Sequence, residues 1–279
     1  MKKLILSVNP QIEIEKIVSF LKKTFKQQKI NKVVVGLSGG IDSLVCYCLL
    51  KKVLPEKNII AVHLPYNKPN PLIPNNIRVI SIKKIVEVIV KKLTLDTRNW
   101  NLDNEAGNLK LEKNQASNFQ PQNQVSSFQH QASKIRLGNI MSRVRMIILF
   151  DLAKKNNAMV CGTENKSEHL LGYFTRFGDS ASDIEPIRHL YKTQVYQLAK
   201  YLQIPKKIIN QKPTAGLWPR QTDEDELGFS YKEADQVLNK YFDKKMSTKK
   251  IIKLGFPNAE KIISFTKKNK FKQKTPYCI

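Results

Sequence analysis

The residues best suited to chemistry crowd into positions 36–43, GLSGGIDS, where three glycines, two serines and one acid separate a short β-branched run from a long apolar segment. Glycine tolerates positive φ and lets a ligand come close to the backbone, and the unpaired N–H groups that open a helix favour an anion. A turn of this make-up reads as a phosphate cradle. It is not a P-loop, because that pattern needs a lysine after its last glycine and Gly40 is followed by Ile41 and Asp42. Ser38, Ser43 and backbone amides are therefore expected to hold the phosphates, with Asp42 meeting them only through a cation. The plainer alternative makes Asp42 a helix cap and the glycines a tight turn.

A second acid belongs to the same edge. Ligands of an open parallel sheet collect beyond the carboxyl ends of its strands. A strand over 158–163 would run into GTENKSE, so Thr163 and Glu168 would emerge beside Asp42. Mg²⁺ on a triphosphate is held by one or two carboxylates plus phosphate oxygens, which makes Asp42 and Glu168 the candidate metal pair; the alternative for Glu168 is a solvated acid in the first turn of a helix. The next stretch, GYFTRFGDSASDIEPI, mixes glycine, aromatics and acids without periodicity and reads as a substrate-contacting loop. Arg143 and Arg145 stand on an otherwise inward-facing apolar helix, where arginine suits bidentate contact with carboxylate or phosphate or else is an ordinary surface residue. The four histidines, His63, His130, His169 and His189, are scattered and are assigned structural or solvent roles.

GLSGGIDS resembles the S-G-G-x-D-S loop of the ATP pyrophosphatases, which cleave ATP between its α and β phosphates and grip the leaving pyrophosphate with that loop. Together with LGNIMSRVRM, GTENKSE, GYFTRFGD, KPTAGL and DEDELG, in this order and spacing, it resembles the ammonia-dependent NAD synthetases over most of residues 12–277. The resemblance implies that the loop residues Gly36, Leu37, Ser38, Gly39, Gly40, Ile41, Asp42 and Ser43, with Thr163, Lys192 and Thr214, contact ATP. It implies that Asp42 and Glu168 bind Mg²⁺, that Arg143, Arg176, Asp183 and Lys272 contact deamido-NAD, and that the enzyme is a homodimer with the dinucleotide at the subunit interface. Arg176 stands where that family usually has lysine, and Phe271 where histidine commonly precedes the tail lysine, so stacking on a base or ring is the alternative to a polar contact there.

The implied reaction is amidation in two steps. The nicotinate carboxylate attacks the α-phosphorus of ATP to give an acyl adenylate and pyrophosphate, and ammonia then displaces AMP. Asp42 and Ser43 would serve the reacting centre, and Asp183 is the candidate base for ammonium. The phosphate loop begins at Gly36, which leaves no room upstream for a glutamine-hydrolysing domain, so free or delivered ammonia is expected as nitrogen donor. Within the same superfamily the alternative is a tRNA-modifying ATP pyrophosphatase, although the C-x-x-C pair of thiolating members is absent. Outside it, the alternative is a non-catalytic nucleic-acid binder that has kept the loop.

The elements that must position these residues follow from periodicity. Apolar residues at helical spacing predict a helix over 12–27, then strand 33–37, helix 42–53, strand 58–65, a turn region 66–76, strand 77–82 and helix 83–93. Residues 99–133 are rich in Asn, Gln and Ser, bury too little to offset their ordering entropy and read as a mobile insertion. A helix follows over 135–157, then the strand 158–163, a helix over 191–204, and a polar, Pro/Gly-punctuated, lid-like loop over 212–228, before a short helical region and a lysine-rich tail. This alternation predicts one α/β domain over 1–279, a doubly wound, mostly parallel sheet with helices on both faces; the resemblance makes it Rossmann-like, of the adenine-nucleotide α-hydrolase kind.

A 279-residue chain with 41% hydrophobic residues can fill such a core. Its net charge of +25 comes from lysines spread along the whole chain, so it is read as a solvated surface, and specific nucleic-acid binding is not expected. Four cysteines without paired spacing, and apolar runs too short for a signal peptide or a membrane span, lead to the expectation of a cytoplasmic protein.

Overall fold

In a computed structural model, residues 6–93, 122–218 and 221–274 are described, residues 122–133 by their backbone alone. Helix α1 (Pro10–Gln28) opens on Asn9, whose side chain accepts from the Gln11 and Ile12 amides, and on a proline whose missing N–H is not needed there. Ile14, Ile17, Leu21 and Phe25 form its buried stripe. The chain continues through β1 (Val33–Gly36), α2 (Ile41–Lys51), β2 (Ile59–His63), β3 (Arg78–Val79), α3 (Lys83–Leu93), α4 (Gln122–Asn156) and β4 (Met159–Cys161).

The strands are parallel and ordered β3-β2-β1-β4. β1 is central, with Val33 paired to Ile59 on one side and Met159 on the other. Alternate residues of β1 feed different cores: Val33 and Val35 pack with Ile17, Leu49 and Leu198, while Val34 packs with Val62, Val86 and Val144 on the opposite face. A strand buried on both faces has no use for polar residues, which is why it reads as an unbroken apolar run. The doubly wound parallel sheet is thus observed. From β1 the chain turns toward β2, and only after β3 does it cross back to lay β4 on the other side. The crevice beyond the carboxyl ends of β1 and β4 is therefore the topological switch point.

After β4 come α5 (Lys166–Leu171), α6 (Lys192–Tyr201), α7 (Lys206–Ile209), α8 (Asp223–Leu227), α9 (Tyr231–Leu238), α10 (Thr248–Lys253) and α11 (Ala259–Asn269). Leu171, Leu227, Leu238, Ile251 and Ile262 join in a further core, so the C-terminal helices form a layer of their own.

Three expectations need correction. The strand expected over 77–82 is only Arg78–Val79, because β3 lies at the sheet edge with both residues exposed. The expected mobile insertion over 99–133 ends early: α4 starts at Gln122, since a lack of apolar residues does not prevent Gln, Ser and Ala from being helical. Residues 99–121 lie outside the described residues. Of the lid-like stretch, Asp223–Leu227 is a helix, capped by Thr222, whose side chain accepts the Asp225 amide, and closed by Gly228 at φ 71°. Its run of acids suits the positive end of the helix dipole.

Candidate active site

β1 delivers the glycine-rich turn directly to the switch point. Leu37 continues the ladder by donating to the Val62 carbonyl at 2.8 Å, and α2 then starts at Ile41 with no side-chain cap from Gly40. Gly39 has φ 86°, and a Cβ there would lie 2.2 Å from Asn70 Nδ2, so both conformation and space require glycine. Ser38 Oγ accepts the Gly40 amide at 3.1 Å, and Ser43 Oγ donates to the Gly40 carbonyl at 3.0 Å. The two hydroxyl oxygens lie 3.2 Å apart.

The turn is braced from β2. His63 is 5% exposed; its Nε2 accepts the Asn70 amide at 3.0 Å, which leaves the proton on Nδ1 to be donated to the Leu37 carbonyl at 2.7 Å. Asn70 Nδ2 in turn donates to the Ser38 carbonyl at 3.2 Å. His63 thus has the structural role expected of it, and that role is to hold the turn. Asn70 carried no motif that could have marked it.

Across the crevice, Asp42 and Glu168 share one ammonium. Lys192 Nζ donates to Asp42 Oδ2 at 2.5 Å and to Glu168 Oε1 at 3.0 Å, with only 4% of the lysine side chain exposed. Asn165 Nδ2 donates to Asp42 Oδ1 at 3.1 Å, and Asn165 and Glu168 form a reciprocal capping box at the start of α5. The three elements that leave the switch point, α2, α5 and α6, each place one member of this triad.

The site gathers more carboxyl groups than ammoniums. Burial, opposed by Lys192 and reinforced by Asp42 and Asp223, pushes the Glu168 carboxyl up to about 8. Burial works against a charged Lys192, but Asp42 and Glu168 outweigh it and hold the ammonium well above its ordinary pKa. A desolvated set with more carboxylates than ammoniums favours a further cation. Two part-exposed carboxylates are few for an all-protein cage, and among the described residues no group of three or more His, Cys, Asp or Glu makes one. They suit Mg²⁺, which keeps water and phosphate oxygens in its shell.

Asp223, on α8, closes one side. It is 3% exposed and accepts from the Tyr231 hydroxyl at 3.1 Å; the Tyr173 hydroxyl lies 3.3 Å from Asp223 and donates to Glu226 Oε2 at 2.8 Å. Gln221 adds a 2.7 Å bond to the other Glu226 oxygen. Lys192 Nζ sits 5.3 Å from the centre of the Tyr231 ring. Of the acids of DEDELG, Asp223 is thus the one buried beside the triad, on an ordered helix.

The cationic residues gather around the loop that follows α5. Lys272 Nζ donates to the Gly172 and Phe174 carbonyls, both at 2.8 Å, and burial lowers its pKa. Arg143 Nη2 donates to the Arg176 carbonyl at 3.3 Å. The Arg176 guanidinium lies 5.6 Å from the centre of the exposed Phe271 ring. Arg143, Arg176, Phe271 and Lys272 are thus brought together, and Phe271 is free to stack.

Three candidates, Asp183, Thr214 and Arg145, make other contacts. Asp183 is set apart from the triad: its Oδ2 accepts the Val160 amide at 2.7 Å and its own amide donates to the Val160 carbonyl, closing the free edge of β4. An edge strand needs such partners. Thr214 Oγ1 accepts the Gly216 amide at 3.0 Å within an exposed loop, and Thr163 is half-buried just beyond β4. Arg145 donates to the Leu64 carbonyl at 3.0 Å and ties α4 to the end of β2.

A family model described as NAD synthase matches residues 13–276. The NH(3)-dependent NAD(+) synthetase of Fusobacterium nucleatum is 36% identical over 263 residues, covering 93% of this chain and 92% of that protein. The NH(3)-dependent NAD(+) synthetase of Thermoplasma acidophilum is 38% identical over 268 residues, covering 96% and 97%. Among solved structures, an NMN synthetase from Francisella tularensis superposes with a TM-score of 0.71 at 31% identity, covering 98% of this chain and 99% of its own. The NH3-dependent NAD synthetase of Campylobacter jejuni, in complex with the nitrate ion, gives 0.69 at 28% identity, covering 98% and 100%.

Proposed function

The chain belongs to the NAD synthase family, and from that premise we propose that it amidates the nicotinate carboxylate of deamido-NAD to give NAD, using ATP and ammonia. The observation that carries the reading is the Asp42–Lys192–Glu168 triad at the switch point, with the phosphate turn on one side and the Arg143, Arg176 and Lys272 set beyond α5. In the first step a carboxylate oxygen bonds to the α-phosphorus and the bond to the β-phosphate oxygen breaks, leaving an acyl adenylate. In the second, ammonia bonds to the acyl carbon, AMP leaves, and one proton is lost from nitrogen.

The free amides of the turn beyond Leu37 and the hydroxyls of Ser38 and Ser43 hold the leaving pyrophosphate, and Lys192 offsets its charge. Asp42 and Glu168 would hold Mg²⁺, which when bound supplies charge stabilisation at the phosphates. Arg143, Arg176 and Lys272 orient the dinucleotide, and Phe271 stacks on one of its rings. No protein nucleophile is required. Asp183, which also accepts the Val160 amide through Oδ2, remains the candidate to contact the dinucleotide and take the proton lost from nitrogen.

We further propose a homodimer in the cytoplasm. Ile85 and Val88 of α3 and Ile147 of α4 are exposed at 45%, 61% and 59%, apolar surface suited to a second copy. Arg143 lies on the same stripe of α4 as Ile147, one turn away, so dimerisation through this face would bring the dinucleotide site to the interface. No helix among the described residues is long and apolar enough to cross a membrane.

The test is to supply ATP, Mg²⁺, ammonium and either deamido-NAD or nicotinic acid mononucleotide, the latter because one structural neighbour is an NMN synthetase. The expected products are NAD, AMP and pyrophosphate in equal amounts, with the dinucleotide preferred and glutamine a poor nitrogen source. ADP and phosphate would mean cleavage at the other bond and would overturn the reading; preference for the mononucleotide would reassign the substrate.

A further inference from the structure

Glu168 and Lys192 stand on short helices of six and ten residues, yet their charged ends meet at 3.0 Å. Something outside those helices sets their spacing. Between them lies Ser167, fully buried, whose Oγ accepts the Lys192 backbone amide at 2.8 Å and donates to Asp235 Oδ1 at 2.5 Å. The other oxygen of Asp235 accepts the Thr193 amide at 2.8 Å. Lys192 and Thr193 are the first residues of α6, where no intrahelical acceptor exists. Their amides are satisfied from α5 and α9, not from the residue that precedes the helix.

Asp235 is itself 0% exposed on α9, in the C-terminal layer. A carboxylate so far from water needs every lone pair it can use satisfied, and here it spends them on the two helices that flank the triad. Ser167 is next in sequence to Glu168, and the amide it accepts belongs to Lys192 itself. One buried acid thereby ties together the backbones that bear two of the three triad residues.

We propose that Asp235 is a positioning residue, which through Ser167 and the first two amides of α6 sets Lys192 against Glu168 and Asp42. The inference rests on reading that triad as the ATP and Mg²⁺ site. It gives the C-terminal layer a share in the geometry of a centre otherwise built at the sheet.

The test uses Ser167→Ala, Asp235→Asn and the double variant of the full chain, each assayed the same interval below its own melting temperature. A misplacement of this kind is expected to lower kcat for pyrophosphate formation by about tenfold or more, with KM for the dinucleotide within about twofold of wild type. Because the two residues act in one chain of contacts, the double variant should be no more than about twofold slower than the slower single variant. A second readout needs no turnover: the buried Lys192 ammonium should give a slowly exchanging ¹H–¹⁵N signal, assigned by its loss in Lys192→Arg, that weakens in both single variants. Folded variants with an unchanged ammonium signal and near-normal kcat overturn the proposal, as do multiplicative losses in the double variant. If the wild type makes no NAD, the functional reading fails, and the ammonium signal alone then decides the role of Asp235.

Discussion

Asp42 and Glu168 are isolated acids in the sequence, and what makes them a pair is the ammonium of Lys192 between them. Replacing either with its amide keeps the shape but removes a negative charge from the proposed hard-cation site. Asp42→Asn and Glu168→Gln are expected to lower kcat for pyrophosphate release by about a hundredfold while the fold survives, with excess Mg²⁺ giving partial rescue. Normal pre-steady-state release from a folded variant would remove that residue from the site. The same pair sets a pH dependence. A carboxyl that folding raises above its unfolded value of about 4 contributes stability that is complete below that value and is lost as pH rises through its folded pKa. For Glu168 that upper limit is about 8. The melting temperature of the unliganded protein should therefore fall more steeply between about pH 5 and pH 9 than that of Glu168→Gln, which has no carboxyl to titrate. Parallel curves would show that Glu168 ionises as freely in the fold as outside it.

The turn after β1 is the element on which the proposed phosphate binding and the local fold both depend. At Gly39, φ 86° and the approach of Asn70 act together. Gly39→Ala is expected to cost about 1–2 kcal/mol from backbone strain alone, read as a lowered urea midpoint, and to weaken ATP binding. Adding Asn70→Ala should relieve the crowding but not the strain, so full recovery in the double variant would contradict the conformational argument. Turn, central strand and following helix were all legible in the sequence, because glycine spacing and an unbroken valine run report local requirements. The lid-like stretch was legible only as polar and punctuated. Its helix α8 is fixed by Tyr173, from fifty residues away, and by Tyr231 at the start of the next helix, and neither leaves a pattern around residue 223. Asp235 was invisible for the same reason: one acid in a short amphipathic helix gains meaning only from Ser167 and Thr193. The contact of Asp183 with the Val160 amide was likewise not legible, because an acid near a substrate-like loop in sequence does not reveal that Val160 needs an acceptor.

The whole molecule carries +25 charges, and the triad, with Asp223 close by, is a pocket of opposite sign within it. The lysines are spread over the chain, so RNA is expected to bind weakly and to be released at moderate salt, with a steep dependence of affinity on salt concentration. Submicromolar, sequence-selective tRNA binding at physiological salt would favour the tRNA-modifying alternative. The triad also joins the two halves of the architecture, since Asp42 comes from the sheet layer, while Asp223 and Asp235 come from the C-terminal helices. Lys192, at the centre, makes the resting protein its own counter-ion donor. A solvent cation entering alone must evict a tethered ammonium that cannot diffuse away, whereas one arriving on a triphosphate offers that ammonium new anionic oxygens to move to. With Mg²⁺ and ATP held as proposed, the pocket would be biased toward the metal–nucleotide complex over the bare ion, a selectivity that needs no additional residue and follows from having a permanent tenant.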